Sequence, residues 1–445
     1  MEKANGSAKV VPSHLVLPFI LITLLFPLWG FANDVTNPMV KAFSRILQMS
    51  NFQGSLVQFA FYGGYFAMAF PAALFIKRYS YKAGVLVGLG LYAIGALLFV
   101  PSSMMMVFWP FLVAYFILTC GLSFLETSAN PYILAMGAEQ TATRRLNLAQ
   151  SFNPMGSLLG MFVAQQFILA RLDPATAAER GAMSADQLAA LTAQDLAVVR
   201  APYLGIAFVI VVVFAAIAIT RMPTHGEEDR SLNVRPTLRR LLGNSRYVGG
   251  VVAQFFYVGA QIMCWTFIIH YATMELGLSE VAAQGYNIIA MVIFVTSRFI
   301  CTFLLKYVRP GRLLLALAVG GGALTIGTMV IPGMLGLYCL VGVSACMSLM
   351  FPTIYGIALR GVGEDAKLGA AGLIMAILGG SVMPPAQGAI IDLGTVGIGG
   401  LSVPAVRASF VLVVICFVVI AHYGWRTSVV SGGSNPNPPS SRMIQ

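Results

Sequence analysis

Leu122-Ser123-Phe124-Leu125-Glu126-Thr127-Ser128-Ala129-Asn130-Pro131 places a carboxylate late in an apolar run that starts near Met106. A charge at the centre of a bilayer costs roughly 2.5–3.5 kcal/mol on insertion scales, so it is kept only where it faces a polar cavity or a partner. Asn130 lies one helical turn beyond Glu126 on the same face. Pro131 has no N–H and therefore frees a backbone carbonyl within the helix. Together these features describe a membrane helix whose Glu126 faces a water-accessible cavity and takes up a proton.

Composition agrees with a membrane setting. Of 445 residues, 58% are apolar and 10% charged, with mean hydropathy +0.82, whereas soluble chains carry about 25% charged residues. The rule that a span needs about 20 largely apolar residues yields twelve candidates: 14–40, 53–76, 83–100, 105–134, 146–170, 201–221, 246–272, 281–305, 312–331, 335–359, 367–391 and 404–425. The net charge of +11 does not argue for nucleic acid, because the basic residues fall in short loops between spans. With the N-terminus in the cytoplasm, about twenty of the 27 basic residues lie inside, among them Lys77, Arg78, Lys82, Arg144, Arg145, Arg360 and Lys367, as the positive-inside rule requires. Both termini therefore read as cytoplasmic. Lys3 and Lys9 precede a first span that runs on into Asn33-Asp34 without a convincing cleavage site, so that span reads as a retained helix. Cys120, Cys264, Cys301, Cys339, Cys346 and Cys416 show neither metal-ligand spacing nor a disulfide framework, and read as small core residues.

The polar interval 222–245 splits the spans six and six. This gives a cytoplasmic N-terminus over 1–13, a first half over 14–221, a linker over 222–245, a second half over 246–425 and a disordered tail over 426–445. The Ala-rich stretch 171–200 reads as a short surface helix. Asn130-Pro131-Tyr132-Ile133 in the fourth span is echoed by Phe351-Pro352-Thr353-Ile354 in the tenth. An all-α membrane protein with two six-helix halves, related by an axis along the membrane normal around a midplane site, has the major facilitator architecture.

Asp34, Glu126 and Arg298 are the ionisable residues inside spans; the ordinary alternative for each is a structural ion pair or snorkelling to the interface. Amides and aromatics gather near them. The first span has Asn33 and Asn37, the second Gln58, Tyr62 and Tyr65, the fifth Asn147, Gln150, Asn153 and Ser157, and the eighth Asn287. Gln254, Tyr257, Gln261 and Trp265 fall on a single stripe of the seventh helix. Lipid cannot satisfy amides, so such a stripe points inward. A pocket rich in amides and aromatics but poor in charge suits a neutral polyol, since amides both donate to and accept from hydroxyls. No Gly-x-x-x-x-Gly-Lys-[Ser/Thr] phosphate loop is present, which argues against an ATP-driven pump. One proton moving down the electrical gradient supplies about 2.3 kcal/mol per 100 mV; a sodium-coupled version uses the same carboxylate and freed carbonyls.

Trp29-Gly30-Phe31-Ala32-Asn33, Ser80-Tyr81-Lys82-Ala83-Gly84, Leu125-Glu126-Thr127-Ser128-Ala129-Asn130-Pro131 and Leu146-Asn147-Leu148-Ala149-Gln150-Ser151-Phe152-Asn153 resemble the fucose:proton symporters of the major facilitator superfamily. The run from Ala253 to Gln261, followed by Cys264-Trp265, is similar to theirs too, and the likeness extends from about Pro18 to about residue 420. The resemblance implies import of fucose, glucose, galactose or N-acetylglucosamine with a cation, commonly a proton. It links Glu126 to protonation and sugar binding, and matches Gln150 and Asn153 to the family's fifth-helix pair. Two departures stand out. Relatives commonly carry a first-helix Asp where this chain has Asn37, and here an Asp appears one turn earlier, at Asp34. In the tenth helix, Met350-Phe351 replaces the Gln-Tyr pair of fucose transporters.

The expectation is an inner-membrane, multi-pass symporter that imports L-fucose or a related hexose by alternating access. Glu126 is expected to carry the proton with Asp34 assisting. Asn33, Asp34, Asn37, Tyr62, Glu126, Asn130, Gln150, Asn153, Tyr257, Gln261, Trp265 and Asn287 are expected to bind the sugar. No enzymatic nucleophile–base pair, metal or cofactor is expected, and a monomer is. The alternatives are a drug/proton antiporter and a sodium-coupled sugar symporter.

Overall fold

In lipid, backbone groups must be satisfied within the chain, so long apolar runs become helices. The computed structural model, which describes residues 9–47, 51–175, 177–223, 234–398 and 401–430, is almost wholly helical. We label the spans in order. The first, α1, joins Val16–Thr23 to Leu25–Ile46, and α2 is Asn51–Arg78. Next come α3 (Tyr81–Met105) and α4 (Phe108–Ala135). The fifth, α5, is interrupted: Glu139–Gln150, Asn153–Val163 and a wider turn, Ala164–Ile168. It is followed by α6 (Ala185–Ile219), α7 (Ser245–Met274), α8 (Glu280–Leu304) and α9 (Pro310–Val330). The tenth, α10, is broken into Met334–Met347 and Met350–Ala358, and α11 (Gly363–Ile391) and α12 (Ala405–Val429) complete the bundle. Ten of these are long and apolar enough to cross a membrane; α2 and α5 are the other two.

The halves repeat one packing pattern. Helix α1 packs on α5, α2 on α4, and α3 on α4 and α6; in the second half α7 packs on α11, α8 on α10, and α9 on α10 and α12. Each pair is the other shifted by six helices, as parallel repeats require. Between halves, α2 meets α11, and α5 meets α8 and α10.

Two segments differ from the sequence reading. The Ala-rich stretch is not a separate surface helix beyond the short turn Ala177–Gly181. Its residues from Ala185 onward are the first turns of α6, started by a capping box in which Ser184 and Gln187 satisfy each other's backbone N–H. Arg180 and Asp195 form a fully buried pair there at 2.6 Å. In the α11–α12 connection, Thr395–Ile398 and Leu401–Pro404 form an antiparallel hairpin that the apolar pattern did not reveal. Residues 1–8 and 431–445 and most of the linker, 224–233, lie outside the described residues.

Helices α1 and α5 approach so closely that only glycine fits. A Cβ on Gly156 would collide with the Pro27 carbonyl, one on Gly30 with the Asn153 carbonyl, and one on Gly160 would lie 2.7 Å from the Phe31 carbonyl. These are backbone atoms, so the helices themselves would have to separate. Gly156→Ala is expected to cost about 1–3 kcal/mol, seen as a lowered thermal unfolding midpoint in detergent. Gly90→Ala, where a Cβ meets nothing within 4 Å, should leave the midpoint unchanged.

Candidate functional site

Three helices converge on Glu126. From α4 the carboxylate is buried and accepts from the Tyr65 hydroxyl of α2 at 2.8 Å. Asn130, one turn on, donates through Nδ2 to the Glu126 main-chain carbonyl at 2.9 Å. Gln150 of α5 donates through Nε2 to Asn130 Oδ1 at 2.8 Å. The amides thus hold the helix around the carboxylate, while a neutral hydroxyl is its side-chain partner. No ion pair to Glu126 or Asp34 occurs among the described residues. A lone carboxyl with a hydroxyl donor can exist either charged or neutral, which an ion-paired one in lipid cannot easily do.

Asp34 is half-buried on α1, and Ser157 of α5 donates to the Gly30 carbonyl of α1 at 3.4 Å. Tyr62 lies three residues before Tyr65 on α2, with its ring edge-on to Phe61. Removing the Tyr65 hydroxyl should cost the carboxylate a charge-assisted hydrogen bond of about 1.5–3 kcal/mol. Tyr65→Phe is accordingly expected to slow proton-coupled uptake about tenfold or more with an unchanged elution profile; wild-type uptake would show the bond is incidental.

Among the described residues Arg298 of α8 does not form the ion pair weighed for it. It is buried and has no carboxylate partner among the described residues. Its Nη1 donates to the Gln150 carbonyl at 2.9 Å, its Nε to the Ser348 carbonyl, and its guanidinium lies over the Phe294 ring at 4.6 Å. Gln150 ends the first piece of α5, and Ser348 caps the first piece of α10. Both carbonyls are released by a helix break, and a cation at a helix C-terminus is favourable. One side chain therefore ties a break in each half.

The second-half stripe spends its polar atoms on α10. Tyr257 donates to the Met347 carbonyl at 3.2 Å, and Trp265 Nε1 to Ser344 Oγ at 3.3 Å with its ring edge-on to Phe294. Gln254 is fully buried with no hydrogen bond to either amide atom. Gln261 and Asn287 are half-buried, as is Asn33 in the first half. Asn153 donates to the Phe26 carbonyl at 3.1 Å and so ties α5 to α1. The side chains of Asn37 and Gln58 lie outside the described residues. The structure thus gathers Glu126, Asn130 and Gln150 and adds Tyr65, whose place on α2 was visible in the sequence but not the acid it would meet.

At the end of the bundle that carries the linker, the halves are joined. Asn147 of α5 donates to Thr353 Oγ1 of α10 at 3.2 Å, and Arg360 stands 3.9 Å from Glu139. Lys77, buried at the end of α2, donates to Thr237 of the linker helix Val234–Gly243 at 3.3 Å. Arg240 of that helix makes two bonds of 2.7 Å to Asp365. Arg145 instead caps α4, donating to the carbonyls of Ile133 and Leu134 and to that of Val10.

Comparison with known proteins agrees with this architecture. The Major Facilitator Superfamily family model matches residues 22–385. The chain is 53% identical to the L-fucose-proton symporter of Haemophilus influenzae, over 94% of this chain and 98% of that protein. It is 31% identical to the glucose/galactose transporter of Brucella abortus, over 91% and 92% respectively. The crystal structure of the Escherichia coli fucose:proton symporter matches with a TM-score of 0.84 at 34% identity, covering 93% of this chain and 98% of that one.

Proposed function

Because the chain belongs to the major facilitator superfamily and, within it, to the family of the L-fucose–proton symporters, we propose that it imports a neutral monosaccharide, L-fucose foremost, together with a proton. One observation carries this reading: a buried carboxylate without an ionic partner, bonded to a tyrosine and framed by amides. Glu126 carries the proton, with Asp34 assisting. The sugar sits at the midplane between Asp34, Tyr62, Asn130 and Gln150 on one side and Gln261, Trp265 and Asn287 on the other. Asn33 lines the same first-helix face, while Asn153 and Tyr257 brace the walls.

The protein resides in the bacterial inner membrane with both termini and the linker in the cytoplasm, since the basic loops gather at that end. Each chain holds both halves of the pathway and works as a monomer. With the linker end joined, the opposite end admits sugar and proton; alternating access then parts the Asn147–Thr353 contact.

The test is the external pH of a lightly buffered, de-energised suspension of cells expressing the protein. L-fucose, D-galactose, D-glucose and N-acetylglucosamine are added in turn. Alkalinisation on adding one sugar is expected and names the substrate. Entry of labelled sugar without a pH change would replace the proton by sodium or by no ion. Absence of entry by any sugar would overturn the substrate class and send the test to a cationic dye.

A further inference from the structure

A second pocket lies away from the transport pathway. At the linker end, the start of α7 and the end of α12 enclose a cavity of about 430 Å³. Arg246, Arg360, Arg426 and His422 line it, and no carboxylate does. Arg360 has a partner in the other half, Glu139, at 3.9 Å. Asn244 is at the rim, its side chain already capping α7 by accepting from the N–H groups of Arg246 and Tyr247. The membrane-side wall is apolar, formed by Val252 and Val419.

Val252, 44% exposed, also lines a second hollow of about 420 Å³ that continues along α7 toward α11. Val251, Phe255, Phe256 and Met375 form the rest of its apolar surface. Trp425, 54% exposed beside Arg426, marks the depth, because exposed tryptophans at span ends sit at the headgroup level. A cationic cup at headgroup depth therefore lies beside an apolar groove directed along a span, with Val252 common to both.

We propose that this cup and groove bind one phospholipid with an anionic headgroup. The phosphate lies among Arg246, Arg360 and Arg426, and one acyl chain lies along Val252 and Phe256. Charge complementarity selects the headgroup: arginines hold phosphate through planar, multiple N–H donors, and a choline would bring a further cation into an all-cationic cup. The groove selects a lipid over a free phosphate, which would use the cup alone. Basic pockets between spans on the cytoplasmic side bind such lipids elsewhere.

The test uses the full chain purified in detergent, with binding of dioleoylphosphatidylglycerol, dioleoylphosphatidylcholine and inorganic phosphate measured by native mass spectrometry and titration. Phosphatidylglycerol should be retained and phosphatidylcholine not. The double variant Arg246→Gln/Arg426→Gln should bind phosphatidylglycerol about thirtyfold more weakly, at about a fivefold loss per arginine. Val252→Trp, which fills the junction without touching a charge, should weaken the lipid as well. Arg312→Gln, an exposed arginine at the same end outside the cavity, should leave binding unchanged. Lipid-free elution profile and thermal midpoint, matched to wild type, separate a lost site from a lost fold. Equal retention of the two lipids, or undiminished phosphatidylglycerol binding by the double variant, overturns the site. Displacement of the lipid by inorganic phosphate at equal concentration would overturn the lipid assignment in favour of a free phosphate.

Discussion

Glu126→Gln should abolish sugar-driven alkalinisation and leave exchange of labelled for unlabelled sugar in place. The amide keeps the size of the side chain and an oxygen that accepts from Tyr65, so the bond at 2.8 Å can persist. What is lost is the ability to take and release a proton. One proton crossing 100 mV supplies about 2.3 kcal/mol, equivalent to about fiftyfold accumulation of sugar. The variant should bring sugar only to equal concentrations on the two sides. If it still accumulates sugar and still alkalinises the medium, Glu126 is not the carrier. The assignment then passes to Asp34, the acid expected to assist it, to be tested as Asp34→Asn.

Arg298→Met should cost more in stability than any other single change considered. The substitution leaves the carbonyls of Gln150 and Ser348 at the two helix breaks without their donor. Hydrogen bonds to a charged group are worth about 1.5–3 kcal/mol each, so the pair amounts to about 3–6 kcal/mol, against a typical total of about 5–15. The expected result is a sharply lower thermal midpoint and little folded protein. Arg298→Lys should fall between, because an ammonium is a single point of charge and lacks the planar fork that serves two acceptors. A methionine variant melting with wild type would mean that the breaks are satisfied without the guanidinium.

Much of the first-half site was legible because cost makes it so. A carboxylate or an amide in an apolar run is expensive wherever it faces lipid, so Glu126, Asn130 and Gln150 had to converge on something polar. Arg298 carried the same cost, yet its partners are main-chain carbonyls, which have no letter in a sequence. The prolines that free them, Pro154 and Pro352, each four residues past the carbonyl in question and without an N–H to bond it, were legible, but not that one arginine would meet both. The α7 stripe was read correctly as facing inward. That Tyr257 and Trp265 would spend their donors on α10 depends on the placement of a helix far along the chain. The start of α6 was missed for a different reason: Ala185–Arg200 is polar enough to look like a separate surface helix, and the Ser184–Gln187 capping box, not hydropathy, sets where α6 begins.

The contact between Asn147 and Thr353 is an amide to a hydroxyl, and that choice of partners sets how the transporter is timed. Neutral hydrogen bonds contribute only about 0.5–1.5 kcal/mol net, and changes in ionic strength barely touch them. Such a latch adds little to the barrier for parting the halves, and the exposed Arg360–Glu139 pair at the same end, 3.9 Å apart, adds about 0–1 kcal/mol more. The direction of net traffic is then left to the gradients and not to the latch. A transporter closed this way idles cheaply in either orientation and responds to cargo instead of resisting it.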